Sequence, residues 1–261
     1  MSSYAKLKLV QIFNHTMLIV GIWYMADTGE WSWMLVSCLF FILTHVFGVV
    51  CGYHRLLSHK SYKTSRFWEV VLAVCGTYTA MGSSITWVGV HRVHHTNADR
   101  QSDPHSPYTN REQDQVPKFS IAMAFKGWMN LWNIDTLPSR YVIDLIRDPV
   151  HRFLHTHYYK ILITTFIILA ILNPLYAIFA LSIPACMAFH STGSLITIAH
   201  YHGYRTHITK DKSTNSWLSN LLTFGDGWHN NHHANPGRWT TQEKWWEIDP
   251  SGWIIRLIKK D

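Results

Sequence analysis

Charge is scarce in this sequence. Asp, Glu, Lys and Arg together make up 15% of its 261 residues, where an ordinary soluble domain carries roughly 25%. The shortage is uneven. Long stretches hold almost no charge, and the segments between them concentrate His, Arg, Asp and Trp. That pattern excludes an ordinary soluble globule and reads as a membrane protein with a large aqueous face. Cysteine is sparse too. Cys38, Cys51, Cys75 and Cys186 stand singly in apolar segments, without CxxC spacing, and read as small core hydrophobes. No helix carries a Lys/Arg stripe, so the net charge of +7 does not point to nucleic acid. The basic residues flank apolar runs, where anionic lipid is the expected partner. There is no internal repeat, and the opening MSSYAKLKLV lacks the architecture of a cleaved signal, so the first apolar run is expected to be retained.

What the sequence does contain is a series of apolar runs of membrane length. About 20 such residues cross the hydrocarbon, and the stretches 9–26 and 31–52 qualify, joined by the acidic turn Asp27-Thr28-Gly29-Glu30. Lys6 and Lys8 precede the pair, and Arg55, Lys60, Lys63 and Arg66 follow it, which by the positive-inside rule puts both flanks in the cytoplasm. A third apolar stretch, 67–88, is interrupted by Gly76, Gly82, Ser83 and Ser84. The polar segment 89–155 is too charged for lipid. Two more apolar runs, 156–173 and 175–199, meet at Asn173-Pro174, where proline breaks the helical ladder. The tail 201–261 is polar and aromatic and ends in an amphipathic stretch, 253–260, suited to a membrane surface.

Eighteen residues are His, and their spacing carries the functional signal. His54 and His59 form an H-x4-H pair, and His91-Arg-Val-His94-His95 and His229-Asn-Asn-His232-His233 are both H-x-x-H-H. Chance predicts on the order of 0.1 such triplets at this composition. Positions i, i+3 and i+4 share a helix face, so each triplet is expected to aim three imidazoles at one point. An i, i+5 pair advances about 500° at α-helical winding, so His54 and His59 belong where a membrane helix ends and the chain turns. Imidazole serves several transition metals, and eight nitrogens exceed the four of a structural zinc, so two metals are expected. The isolated His15, His45, His151, His155, His157, His190, His202 and His207 read as ordinary hydrogen-bonded histidines.

A shared site constrains topology. All three boxes must lie on one side, so 67–88 lies along the interface without crossing, and 161–199 crosses twice. The expectation is an all-α membrane protein. Four spanning helices carry a cytoplasmic helical cap, 89–155 and 201–261, which bears a dimetal site, and both termini are cytoplasmic. Ligands at helix ends, rather than inside the spans, argue against a metal transporter.

HRLLSH, HRVHH and HNNHH, in this order between paired membrane helices, resemble the integral-membrane fatty-acid desaturases of the Δ9 acyl-lipid and stearoyl-CoA type. The similarity extends to Asp103-Pro104-His105-Ser106-Pro107, Arg147-Asp148-Pro149, Tyr158-Tyr159, Gly203-Tyr204-Arg205 and the run from Leu222 to Trp228 that leads into the third box. It implies two irons held by nine His, O2 as co-substrate, and a cis double bond placed in a saturated acyl chain, Δ9 first among positions. The resemblance adds His200 as the ninth ligand and makes Trp87 a wall of an apolar acyl tunnel. An interfacial anchor is the competing reading of Trp87.

It also implies a carboxyl carrier (lipid, CoA or carrier protein), a bacterial inner membrane or endoplasmic reticulum, and a separate electron donor, a ferredoxin or small b-type cytochrome. No fused redox domain is expected, since no GxGxxG occurs. Arg92, Arg100, Arg111, Lys118, Lys210 and Lys212 are the candidate docking face for an acidic donor. Two departures stand out. Ile196 replaces an Asn common four residues before the His200 equivalent, with Thr197 as the candidate substitute. The stretch 82–86 lacks the acidic and amide residues that read an acyl-CoA head group. A membrane diiron hydroxylase or alkane-type monooxygenase is the alternative, and product analysis separates the two.

Overall fold

The computed structural model describes residues 3–100, 102–109, 118–129 and 137–260. The first helix, α1 (Ser3–Thr28), ends where Gly29 turns left-handed (φ 75°). The acidic turn is pinned from both sides, because Tyr24 Oη and Trp33 Nε1 donate to Glu30 Oε2 at 2.8 and 3.0 Å. The chain returns as α2 (Trp33–Ser58), α-helical to Phe41 and π-wound from Ile42 to Ser58.

Against the π-wound half lies α3 (Arg66–Thr77), capped by Ser65. Glycines set their separation: a Cβ on Gly48 would fall 2.2 Å from the Gly76 nitrogen, so the backbones touch directly. Twelve residues rise only about 18 Å, short of the ~30 Å hydrocarbon core. The apolar stretch 67–88 is therefore not one segment. It breaks at a turn holding Ala80 (φ 55°) and Gly82 (φ 100°), and Ser83 then caps α4 (Ser84–Asn97), which carries the second box.

A two-stranded antiparallel ribbon, β1 (Tyr108–Thr109) and β2 (Lys118–Phe119), leads into α5 (Ile121–Met129). Next come α6 (Ile143–Arg147), α7 (Pro149–Thr156) and α8 (Tyr158–Leu172), with a 65° bend between α7 and α8. The Asn173 side chain caps α9 (Pro174–Ile198) by accepting from the Leu175 amide at 2.9 Å. Three short helices close the chain: α10 (Trp217–Thr223), α11 (His229–Ala234) and α12 (Pro250–Ile258).

Among the described residues, three helices are long and apolar enough to cross a membrane, Ala5–Thr28, Trp33–Ser58 and Pro174–Ile198, and the bent α7–α8 pair would add a fourth if it is one span. The run expected as a helix over 156–173 is shorter than that. The fifteen residues of α8 rise about 22 Å, because His157 breaks the path before it. Ile163, Ile167, Ile171 and Leu172 of α8 and Ile12, Ile19 and Trp23 of α1 are exposed, the mark of lipid-facing surface rather than a soluble exterior. The core sits between α2, α4 and α9, where Val49, Tyr53, Met81, Ile85, Trp87, Val88 and Ala188 are buried.

Candidate metal centre

Helix ends bring the histidines together. His54 lies in the last turn of α2 and His59 caps it, with the His59 amide donating to the His54 carbonyl at 3.2 Å. That is an i→i−5 bond, so the π winding changes the geometry expected from α-helical spacing. At about 4.4 residues per turn, five residues advance about 410°, and the two imidazoles share a face after all. Their ring centroids are 5.0 Å apart.

Nine buried or half-buried histidines form two sets. One comprises His54, His59, His91, His95 and His232, the other His94, His200, His229 and His233, and within each set the ligand atoms lie within 4.8 Å of one another. Neither H-x-x-H-H box aims all three rings at one point. His91 and His95 face the first set and His94 the second; His229 and His233 face the second set and His232 the first. The reason is angular: i and i+4 lie about 40° apart on a helix, whereas i+3 lies about 100° from i+4. Each box thus straddles both sets.

The ring nitrogens fit metal ions and fit poorly without them. The Nε2 atoms of His54 and His232 are 2.9 Å apart, those of His59 and His91 2.8 Å, and those of His232 and His95 3.2 Å. Ligands at right angles around a metal with bonds of about 2.0–2.1 Å sit about 3 Å apart. His54 donates its Nδ1–H to Asp226 Oδ2 at 2.7 Å, leaving Nε2 bare. His232 Nε2 has one proton or one lone pair to share between its two Nε2 neighbours, so at least one contact lacks a hydrogen bond, which a cation between the rings would resolve. In the second set, His229 Nδ1 and His233 Nε2 are buried without a hydrogen-bond partner.

Carboxylates behind the rings fix their tautomers. Asp103 accepts from His94 Nδ1 at 2.9 Å, Asp99 from His200 Nδ1 at 2.9 Å and Asp211 from His233 Nδ1 at 3.1 Å. Among the described residues the second set therefore has three such supports and the first has one, Asp226. Asp226 is tied to the fully buried Arg55, whose Nη2 also reaches Asp249 at 3.0 Å. Burial pushes Asp226 up, but His54 and Arg55 overcome it and hold the carboxyl at about 2. Burial, reinforced by neighbouring imidazoles, pushes His59, His91, His95, His229 and His232 well below the usual value. Those rings are neutral and ready to ligate. His200 is the exception: burial lowers it, yet Asp99 carries it up to about 9, so a metal there would displace a proton.

Beside the histidines is a cavity of about 40 Å³ walled by Val49, Val90, Trp87, Leu195, Ile196 and His91. It has room for a water-sized molecule, less than the several hundred Å³ of a long-ligand site, and Val49, Val90, Leu195 and Ile196 give it an apolar side. Trp87 is buried and stacks on His91 with centroids 5.0 Å apart, which removes the reading as a lipid-facing anchor. Ile196 lines the cavity, and the Thr197 hydroxyl donates to the Gly193 carbonyl at 2.9 Å.

Most of the isolated histidines have ordinary partners: His15 with His190, His45 with Ser191, His151 with Ser84, His155 with Ser83 and His207 with Glu243. A cluster of Glu69, Asp148 and His151 is filled by Arg66, 2.7 Å from each carboxylate. The expected basic face changes. Arg92 binds Asp144 and the Leu57 and Tyr141 carbonyls, and Arg111 lies outside the described residues. The supporting carboxylates were missed in the sequence. Asp99, Asp103 and Asp226 had a readable signal, standing within eight residues of a box in a chain with sixteen acidic residues. Asp211 comes from a distant loop and had none.

The family model for fatty acid desaturase matches residues 30–248. An sn-1 stearoyl-lipid 9-desaturase of Anabaena variabilis is 32% identical, over 88% of this chain and 82% of its own. An sn-2 palmitoyl-lipid 9-desaturase of Nostoc sp. (strain 36) is 31% identical over 94% and 83%. An acyl-CoA 5-desaturase of Anemone leveillei is 27% identical over 97% and 80%.

Proposed function

Because the chain belongs to the fatty acid desaturase family, a family of oxidoreductases, we propose that it places a cis double bond at the Δ9 position of a saturated, lipid-linked acyl chain. Two irons serve the reaction, one held by His54, His59, His91, His95 and His232, the other by His94, His200, His229 and His233. The observation that carries the reading is the pair of buried nitrogen sets with Nε2 separations of metal-ligand size. The irons, when bound, supply with O2 an oxidant able to take hydrogen from an unactivated methylene.

The chain's own part is positional. Asp226, Asp103, Asp99 and Asp211 hold the Nδ1 protons and leave Nε2 free toward the metals. Val49, Val90, Leu195 and Ile196 make the wall beside the histidines apolar and exclude water. Trp87, stacked on His91, is the side chain against which the reacting methylenes lie. Reaction at one carbon pair then follows from how far the chain can slide past Trp87 before it meets the apolar wall. The lipid-linked carrier is favoured over CoA because Ser83 and Ser84, in the stretch that would meet a head group, spend their hydroxyls on His155 and His151.

Per double bond, O2 takes four electrons and four protons to give two waters. The acyl chain gives two of each, so two electrons and two solvent protons enter from outside, the electrons from a separate ferredoxin or small b-type cytochrome. The chain crosses the membrane four times and keeps both termini and both histidine sets cytoplasmic, in a bacterial inner membrane or endoplasmic reticulum. Supporting this, α3 is too short to cross, and α2 and α9 both end at the histidines.

The test is expression in a host lacking its own desaturase, with total fatty acids analysed by gas chromatography and mass spectrometry. New cis-monoenes that require O2, located at Δ9 by derivatisation, are expected. Hydroxylated chains would move the protein to the alkane-type monooxygenases, and unchanged lipids with iron-loaded protein and both donors supplied would refute the reading.

A further inference from the structure

The two external electrons must reach a largely buried site, and one surface loop is bonded to carboxylates that hold its histidines. We infer that the loop 205–213 is the docking surface for a small acidic one-electron carrier protein, which delivers electrons to the second histidine set. The inference rests on the desaturase reading above.

The loop is held rigidly. Tyr204 and Asn215 exchange backbone hydrogen bonds at 3.1 and 2.7 Å across its base. Asn230, the neighbour of His229, accepts the Thr206 and His207 amides at 2.8 and 2.7 Å and donates to the His207 carbonyl. At the tip, Ile208 is fully exposed (104%), and Arg205, Lys210 and Lys212 around it are exposed as well. Among the described residues no carboxylate pairs with Lys210 or Lys212. The nearby anions are taken: Asp211 by His233, and Glu243 by His207 and Arg238. An apolar centre with a cationic rim has the anatomy of a transient interface, and its complement is acidic.

The inner side of the loop is bonded to the metal site. The Lys212 amide donates to Asp99 Oδ2 at 2.8 Å, and Asp99 holds His200. Asp211 holds His233 directly and receives the Ser213 amide at 2.8 Å. One carboxylate thus separates surface backbone from an imidazole of the second set, twice over. In the first set the supporting carboxylate, Asp226, is instead buried with Arg55 and Asp249. Each reduced carrier gives one electron and leaves oxidised, so two visits serve one double bond, with the two solvent protons already counted.

The full chain in phosphatidylcholine nanodiscs is titrated with a [2Fe–2S] ferredoxin of net negative charge, at low and at physiological salt. Lys210→Glu with Lys212→Glu is expected to weaken Kd by about tenfold or more at low salt and to flatten its salt dependence, while Arg140→Glu, an exposed cation before α6, shifts it by less than about twofold. In Ile208→Cys, a membrane-impermeant maleimide is expected to label position 208 quickly and the ferredoxin to protect it. Equal Kd in all variants, or equal weakening by Arg140→Glu, overturns the proposal. So does slow labelling before ferredoxin is added, which would mean that the tip lies in lipid. Neither readout needs turnover, so failure of the docking surface is distinct from failure of the desaturase reading, which would appear as no monoenes with any donor.

Discussion

Replacing Asp226 by Asn isolates what one carboxylate does for one metal. Asp226 Oδ2 accepts from His54 Nδ1 at 2.7 Å, and Oδ1 accepts from Arg55 Nε and Nη2 at 3.2 and 2.9 Å. Asn keeps the shape but offers a single acceptor, so it serves His54 or Arg55 and not both. Loss of such a support costs roughly 10–100-fold in metal affinity. His54 belongs to the first set only, so iron should fall from two per chain toward one under a graded chelator. The same change strips buried Arg55 of a partner, which costs about 3–5 kcal/mol against a total stability of about 5–15 kcal/mol. Stability loss alone could therefore mimic metal loss, and Asp249→Asn controls for it. Asp249 is the other carboxylate on Arg55 and bonds to no histidine among its hydrogen-bond partners. The expected result is that both variants melt at lower temperature, and only Asp226→Asn loses one iron. Equal iron loss in both, or full iron in Asp226→Asn, would refute the reasoning.

Three further outcomes follow from the packing and the charges. Gly48→Ala forces a methyl into the Gly76 backbone at 2.2 Å, so separation of α3 from α2 should cost about 1–3 kcal/mol or more, measured as thermal stability in detergent. Burial raises the Asp144 carboxyl, but its bonds to Arg92 and Lys60 win and hold it at about 2. A folded value depressed below the unfolded ~3.9 gives stability that is present above pH ~4 and lost as pH falls through ~2. Asp144→Asn should flatten that acid arm of the melting profile, and an unchanged arm would contradict the assignment. Trp87→Ala should enlarge the cavity beside His91 and spread the double bond over neighbouring positions, read by derivatisation and mass spectrometry; an unchanged single position would remove Trp87 from the acyl wall.

Much of this centre was legible in the sequence because metal binding leaves marks that do not depend on packing. The paired H-x-x-H-H boxes and the long apolar runs are local patterns, and His200 came only through resemblance. What escaped was whatever depended on winding or on distant contacts. Nothing in residues 42–58 announces π winding, yet it decides that His54 and His59 share a face. The 2:1 division of each box between sets follows from helix angles, but only once two sets stand on either side of the helix. Asp211 reaches His233 from a loop 22 residues away, and sequence spacing carries no trace of that. The interruption of 67–88 is legible in Gly82, Ser83 and Ser84, whereas the left-handed turn at Ala80 that helps to split the stretch leaves no mark in hydropathy.

The central claim is that two sets of imidazoles, five and four, hold two irons. Metal analysis of the purified chain, joined to X-ray absorption at the iron edge, tests it most directly. The account predicts two irons per chain with nitrogen-dominated shells at about 2.0–2.2 Å, and loss of one of the two in His94→Ala. A chain that folds and carries a single metal, or zinc in place of iron, or irons surrounded mainly by carboxylate oxygen, would contradict it.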